Sequence, residues 1–86
     1  MGKVAIHSHD FVETYGGLLG FGADRETDEA TVICYLQKFC DDGLMAKLIK
    51  RLTDQELCEI FDLINRILKQ YLTDSEYHRL FLKDGH

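Results

Sequence analysis

The hydrophobic residues of this chain recur mostly at intervals of three and four, the spacing that gathers side chains on one face of an α-helix. The longest such run lies in residues 54–71 and predicts the longest helix of the protein. Its apolar positions are Leu57, Ile60, Phe61, Leu63, Ile64, Ile67, Leu68 and Tyr71. They cover a wider arc than a surface helix usually carries. The pattern therefore predicts either the central helix of the domain or a helix shared with a second subunit.

Two similar helix starts precede this helix and the last one, because residues 52–61 (LTDQELCEIF) recur as residues 72–81 (LTDSEYHRLF). In each copy a threonine, Thr53 or Thr73, can accept a hydrogen bond from the amide three residues on. A glutamate, Glu56 or Glu76, can reach back to the amide of that threonine. These capping boxes predict that helices begin at residues 54 and 74. The last helix is expected to run to about residue 83, presenting Tyr77, Leu80 and Phe81.

The N-terminal part of the chain predicts a short helix and then a glycine-rich loop. Ser8 is the expected N-cap, and the helix spans two to three turns and ends near Gly16 or Leu19. The loop (GGLLGFG, residues 16–22) does not favour phosphate binding, since no strand leads into it, no lysine follows and acidic residues come next. Its glycines are expected to let the backbone turn, with Leu18, Leu19 and Phe21 in the core. If the loop is exposed instead, Phe21 becomes a docking anchor.

Two further helices are predicted between residues 24 and 51. The first is capped by Asp24 or Thr27 and ends near residue 40. Asp41 or Asp42 caps the second, although one continuous helix through Gly43 is an alternative that costs about 1 kcal/mol relative to alanine. The apolar stripe of the first of these helices consists of Val32, Tyr35, Leu36 and Phe39, widened by Ile33 and Cys40.

This helix pair has the lengths of a helix-turn-helix motif, and Lys47, Lys50 and Arg51 are available to phosphate groups. However, two aspartates occupy the turn, and the second helix has no Asn, Gln or Arg at its N-terminal end to read bases. The pattern favours a helical hairpin with an exposed basic side. A nucleic-acid-binding or small-ligand-binding regulator built on the 28–51 pair is the alternative function.

The charge of the chain bears on its partners. Fifteen acidic residues against ten basic ones give a net charge of −5, which disfavours both nucleic acid and anionic membrane surfaces. No cationic and then apolar leader opens the chain, and no apolar run approaches the roughly 20 residues of a membrane span. The three cysteines, Cys34, Cys40 and Cys58, lie in apolar helical patterns. They are therefore expected to be reduced core thiols of a cytoplasmic protein.

Candidate ligands for a metal ion lie at the N-terminus, where His7 and His9 are followed by Asp10. Two or three ligands on one short segment do not complete a site, and His78 and His86 are distant in sequence. No metal and no cofactor are therefore predicted. Catalysis is not predicted either, because periodicity places the cysteines, the candidate nucleophiles, in the interior.

The paired LTD-x-E helix starts, the ending EYHRLFLKD (residues 76–84) and the segment HDFVETYG (residues 9–16) resemble small uncharacterised bacterial cytoplasmic proteins. The resemblance covers most of the chain. It implies a cytosolic protein of a bacterium, and it implies no activity and no site residues.

Together these patterns predict an all-α fold, a compact orthogonal bundle of four to five short helices in a single domain over residues 1–86. Residues 1–7 form a lead-in, of which residues 4–6 are too few to assign. The leading functional hypothesis is a non-enzymatic protein–protein interaction or regulatory module that self-associates through the 54–72 helix. The expected interface residues are Phe21, Ile60, Leu63, Ile67 and Tyr71.

Overall fold

The computed structural model describes residues 7–84, so residues 4–6 of the lead-in and His86 lie outside the described range. Over that range the fold is all-α, as predicted, with five α-helices and no strand. The helices are α1 (Phe11–Thr14), α2 (Arg25–Phe39), α3 (Asp42–Leu48), α4 (Asp54–Tyr71) and α5 (Asp74–Glu76). A 3₁₀ turn, Ile49–Arg51, follows α3, and a π-helical segment, Tyr77–Leu82, follows α5. Residues 8–51 form one compact unit, and residues 52–84 belong to another.

Both predicted capping boxes are present. The Glu56 amide donates to the Thr53 hydroxyl at 3.1 Å, and the Thr53 amide donates to the Glu56 carboxylate at 2.9 Å. Thr73 and Glu76 repeat the arrangement at 3.2 and 2.9 Å. Four backbone and side-chain groups at each start therefore satisfy one another, which fixes where α4 and α5 begin.

Aspartates cap the two helices of the first unit. The Thr27 amide donates to Asp24 at 2.8 Å, and the Leu44 amide donates to Asp41 at 3.1 Å. Of the predicted alternatives, Asp24 and Asp41 are therefore the N-caps. Gly43 lies inside α3 rather than inside one continuous helix, because α2 has already ended at Phe39.

The first helix is shorter than predicted. α1 is a single turn, and its N-cap position is Asp10, which makes no side-chain capping bond, so the prediction of Ser8 as the cap was wrong. Tyr15 adopts an extended conformation (φ −69°, ψ 120°) and ends the helix. Its ring folds over Gly17, where a Cβ atom would overlap the tyrosine side chain, and its hydroxyl donates to the Leu18 carbonyl at 3.1 Å. The chain needs glycine here to let that ring approach.

The last helical segment extends to Leu82, close to the predicted end, but most of it is π-helical and not α-helical. Only Asp74–Glu76 is α-helical, and the following turns are π-helical. Tyr77 and Phe81 stack with ring centroids 5.3 Å apart. Lys83 then takes a left-handed conformation (φ 56°), and the Asp84 amide donates to the His78 carbonyl at 3.3 Å. This bond closes the C-terminal end, as helix C-caps commonly do.

The unit of residues 8–51 buries small side chains of α2. Ala30, Thr31 and Cys34 are its buried residues, and Cys34 is only 2% exposed. α1 packs against α2, and the Val12 amide donates to the Gln37 side chain at 2.9 Å. The predicted apolar stripe of α2 lies on the opposite side of the helix, since residues 32, 36 and 39 are about half a turn away from residues 30 and 34.

Two of the three cysteine placements were wrong. All three thiols are free, but Cys40 and Cys58 are exposed and only Cys34 is buried. Cys40 follows the last residue of α2 as its C-cap. Cys58 lies on the polar side of α4, where its sulfur is 3.7 Å from the Asp62 carboxylate. A cysteine in an apolar sequence pattern is thus not necessarily on the apolar face.

Candidate interaction surface

The apolar side of α4 is largely exposed, with only Ile60 and Leu68 half-buried. We call it the α4 face. At 100° per residue its side chains span an arc of about 160°. The two aromatic residues protrude most, with Phe61 67% and Tyr71 70% exposed. The α4 face consists of Leu57, Ile60, Phe61, Leu63, Ile64, Ile67, Leu68 and Tyr71.

The predicted interface residues on α4 all lie on this face. Leu63 is 47% exposed, Ile67 is also exposed, and Ile60 is half-buried. Phe61 and Ile64, which the periodicity assigns to the primary apolar stripe of the helix, are exposed as well. Exposure therefore does not distinguish the predicted interface residues from the other residues of the face. The whole arc, not only its edge, is therefore available to a partner.

Charge is divided along α4. The acidic side chains belong to its first half and the basic ones to its second half, an order that also suits the helix macrodipole. The acidic residues are Asp54, Glu56, Glu59 and Asp62, and the basic residues are Arg66 and Lys69. Arg66 and Lys69 lie on the polar side of α4, so the charges are separated along the helix axis behind the α4 face and not within it.

Phe21 lies in an exposed loop, so the expectation that Leu18, Leu19 and Phe21 fill the core was wrong. Phe21 is 75% exposed, and both leucines are exposed too. The loop turns outward at Gly22, whose φ of 104° favours glycine. The condition under which Phe21 becomes a docking anchor is met, whereas its contact with a partner stays a prediction.

The same loop is fastened to α2 by its amides. The Gly20 amide donates to the Thr31 hydroxyl at 2.9 Å, and the Gly22 amide donates to the Asp28 carboxylate at 2.7 Å. A phosphate-binding loop needs free amides and a positive environment. Here two amides already have side-chain acceptors, one of which is negative, so the loop holds Phe21 in place and does not favour an anion.

The candidate metal ligands are not brought together. In the part of the chain that the structure describes, no group of three or more His, Cys, Asp or Glu side chains has the geometry to hold a metal ion. His7, His9 and Asp10 are exposed. His78 is instead paired with Asp84, with 2.6 Å between its Nδ1 atom and the carboxylate.

The helix pair of residues 28–51 forms, with α2 and α3 joined by a turn at Cys40 and Asp41. Its basic residues, Lys47, Lys50 and Arg51, follow the middle of α3 and are exposed. The end of α3 that would enter a groove of DNA carries two aspartates instead. No feature of this pair favours nucleic acid over the predicted hairpin with an exposed basic side.

The apolar stripe of α2 was predicted from the sequence, but its exposure was not. We call this second exposed apolar surface the α2 face. It consists of Val32, Tyr35, Leu36 and Phe39. Tyr35 is 67% exposed and Leu36 is 57% exposed. The signal that identifies it is the pair of small residues opposite, Ala30 and Cys34, which allow α1 to approach α2 closely, while Thr31 borders the face and holds the loop. Because the small side chains of α2 are the buried ones, its large apolar side chains lie on the other side of the helix and are exposed.

Across residues 7–84 no helix combines the length and hydrophobicity that crossing a membrane requires. Comparison with known proteins identified no relative: no family model, no curated protein and no solved structure matches this chain.

Proposed function

We propose that this protein is a non-enzymatic interaction module that self-associates through the α4 face and regulates or scaffolds a partner protein. The observation that carries the proposal is the exposure of six of the eight side chains of the α4 face, with Phe61 67% and Tyr71 70% exposed. Monomeric proteins seldom leave so large a contiguous apolar surface in water. The free thiols of the chain support the proposal of a cytoplasmic role.

The area of the α4 face suits an interface between two chains. Aromatic side chains bury roughly 150–250 Å² each at interfaces, and Phe61 and Tyr71 are about two-thirds exposed. Together with the exposed aliphatic side chains of the face they form a contiguous apolar surface of the kind that specific interfaces bury.

A second copy of the chain is the partner that the charges of α4 favour. Two α4 helices packed antiparallel align the acidic first half of each helix with the basic second half of the other, and because Arg66 and Lys69 lie behind the α4 face this attraction acts over a longer distance than a direct ion pair. A parallel pair would place acid beside acid and base beside base. The antiparallel arrangement also has the two-fold symmetry of most homodimers.

The test is sedimentation velocity of the wild type and of Leu63→Glu at protein concentrations of about 10–100 μM. We expect a dimer for the wild type and a monomer for Leu63→Glu, because Leu63 lies halfway along α4 at the border of the α4 face, where packing against a second chain would remove water from the introduced carboxylate. Circular dichroism of Leu63→Glu should retain the helical spectrum, since Leu63 is already half exposed.

Gln55→Glu is the matched control, because it adds the same charge to α4 on its polar side and should remain dimeric. A monomeric wild type would refute self-association. Loss of helical structure in Leu63→Glu would show instead that Leu63 belongs to a core. Dissociation of both variants would point to net charge rather than to the α4 face.

A further inference from the structure

A small cavity lies between the C-terminal half of α4 and the start of the last helical segment. Its volume is about 250 Å³. Two half-buried leucines supply the apolar part of the lining, and four polar residues supply the rest. The lining residues are Asn65, Leu68, Lys69, Leu72, Asp74 and Tyr77. All of them belong to the same unit, so the cavity is formed within one chain.

Local hydrogen bonds hold the two sides of this cavity in place. The Leu72 amide donates to the Leu68 carbonyl at 3.0 Å and ends α4. The next residue, Thr73, forms the capping box with Glu76, and its carbonyl accepts from the Tyr77 amide at 2.9 Å. Because the connection is only two residues long and both are hydrogen-bonded, a ligand would enter a site that is already ordered.

The cavity carries one group of each charge, and neither is neutralised by the protein. Within residues 7–84 neither Lys69 nor Asp74 belongs to an ion pair. Asn65 uses its amide nitrogen to donate to the Phe61 carbonyl at 2.9 Å, which leaves its side-chain oxygen as an acceptor. The Tyr77 hydroxyl can donate as well as accept. The lining therefore offers both donors and acceptors around an apolar floor.

We propose that this cavity binds a small zwitterion, an α-amino acid with an aliphatic side chain. Lys69 would bind the carboxylate of the ligand and Asp74 its ammonium group, each through a charge-assisted hydrogen bond. The aliphatic side chain would pack on Leu68 and Leu72. Drug-sized ligands occupy cavities of roughly 300–1,000 Å³, so this cavity suits a smaller molecule.

The two opposite charges select against ligands that carry only one. A simple carboxylate or phosphate would gain Lys69 but would lie close to the carboxylate of Asp74. A simple amine would gain Asp74 but would lie close to Lys69. The inference is independent of self-association, because it requires neither a second chain nor the exposed α4 face.

The experiment is a titration of the ¹⁵N-labelled full-length protein followed by ¹H–¹⁵N correlation spectra at neutral pH. The probes are L-leucine, its decarboxylated analogue 3-methylbutylamine and its deaminated analogue 4-methylpentanoate, each up to about 10 mM. The variants are Lys69→Gln and Asp74→Asn. Lys47→Gln and Asp42→Asn are matched controls, because Lys47 is an exposed lysine of another helix and Asp42 begins α3 as Asp74 begins α5.

We expect saturable shifts with L-leucine, centred on the lining residues and including the side-chain amide of Asn65, with a Kd on the order of 1 mM. Both analogues, and L-leucine with either cavity variant, should bind roughly tenfold more weakly or less, whereas the controls should bind as the wild type does. The proposal is overturned by the absence of saturable shifts, by shifts centred elsewhere, by equal binding of an analogue, or by full affinity in Lys69→Gln or Asp74→Asn.

Discussion

The carboxylates of Asp24 and Glu76 stabilise the folded protein to an extent that depends on pH. At Asp24 the hydrogen bond from the Thr27 amide, followed by that from its hydroxyl, lowers the pKa below its ordinary value of 3.8. At Glu76 the bonds from the amide and hydroxyl of Thr73 lower the pKa below 4.5. Because the charged forms are favoured only in the folded chain, their contribution is complete above these ordinary values. It is lost as the pH falls through the lower pKa values of the folded state.

The double variant Asp24→Asn and Glu76→Gln should therefore lose less thermal stability than the wild type between pH 5 and about pH 3. The amides still accept hydrogen bonds, so the variant should retain both helix starts at neutral pH. Melting followed by circular dichroism across this pH range measures the difference. The control is Glu13→Gln with Asp42→Asn, two exposed carboxylates for which the described residues show no capping bond. An equal reduction in the control would assign the effect to net charge.

At the scale of the element, the starts of α2 to α5 could be predicted from sequence, whereas the start of α1 and the surroundings of the helices could not. Thr53, Thr73, Asp24 and Asp41 cap their helices through partners only three residues away, so the sequence contains the whole interaction. Exposure depends on distant segments. The α2 stripe has the periodicity of a core-facing surface, yet the side chosen for burial is the one with small residues. For the same reason, the spacing of apolar residues along α4 could not show that Phe61 is more exposed than Leu63.

The capping box of α4 gives a prediction at this scale. Thr53→Ala removes the acceptor for the Glu56 amide and should reduce the free energy of unfolding by about 1 kcal/mol, whereas Thr53→Ser should be nearly neutral. Urea unfolding monitored by circular dichroism gives both values. Thr73→Ala should cost less, because the box it breaks starts only three α-helical residues, against eighteen in α4. A neutral Thr53→Ala would mean that the box is not maintained in solution.

At the scale of the whole molecule, each of the two units exposes an apolar helix face, the α2 face in residues 8–51 and the α4 face in residues 52–84. Acidic residues precede basic ones along α4, whereas the α2 face has Asp28 and Glu29 near its N-terminal end and Lys38 near its C-terminal end. If α4 self-associates as proposed, the dimer presents the α2 face twice, which raises the effective concentration of that face for a repeated or dimeric partner.

Self-association through α4 should make thermal stability depend on protein concentration. If the dimer is the folded species, each tenfold rise in concentration adds about 1.4 kcal/mol to its stability, which corresponds to a rise in Tm of several degrees for a chain of this size. Scanning calorimetry over a hundredfold range of concentration measures this dependence. Leu63→Glu should show a lower Tm that does not change with concentration, and Gln55→Glu should follow the wild type. A constant Tm in the wild type would mean that the α4 face contributes nothing between chains at these concentrations, and the apolar arc would then have to be assigned to a different partner.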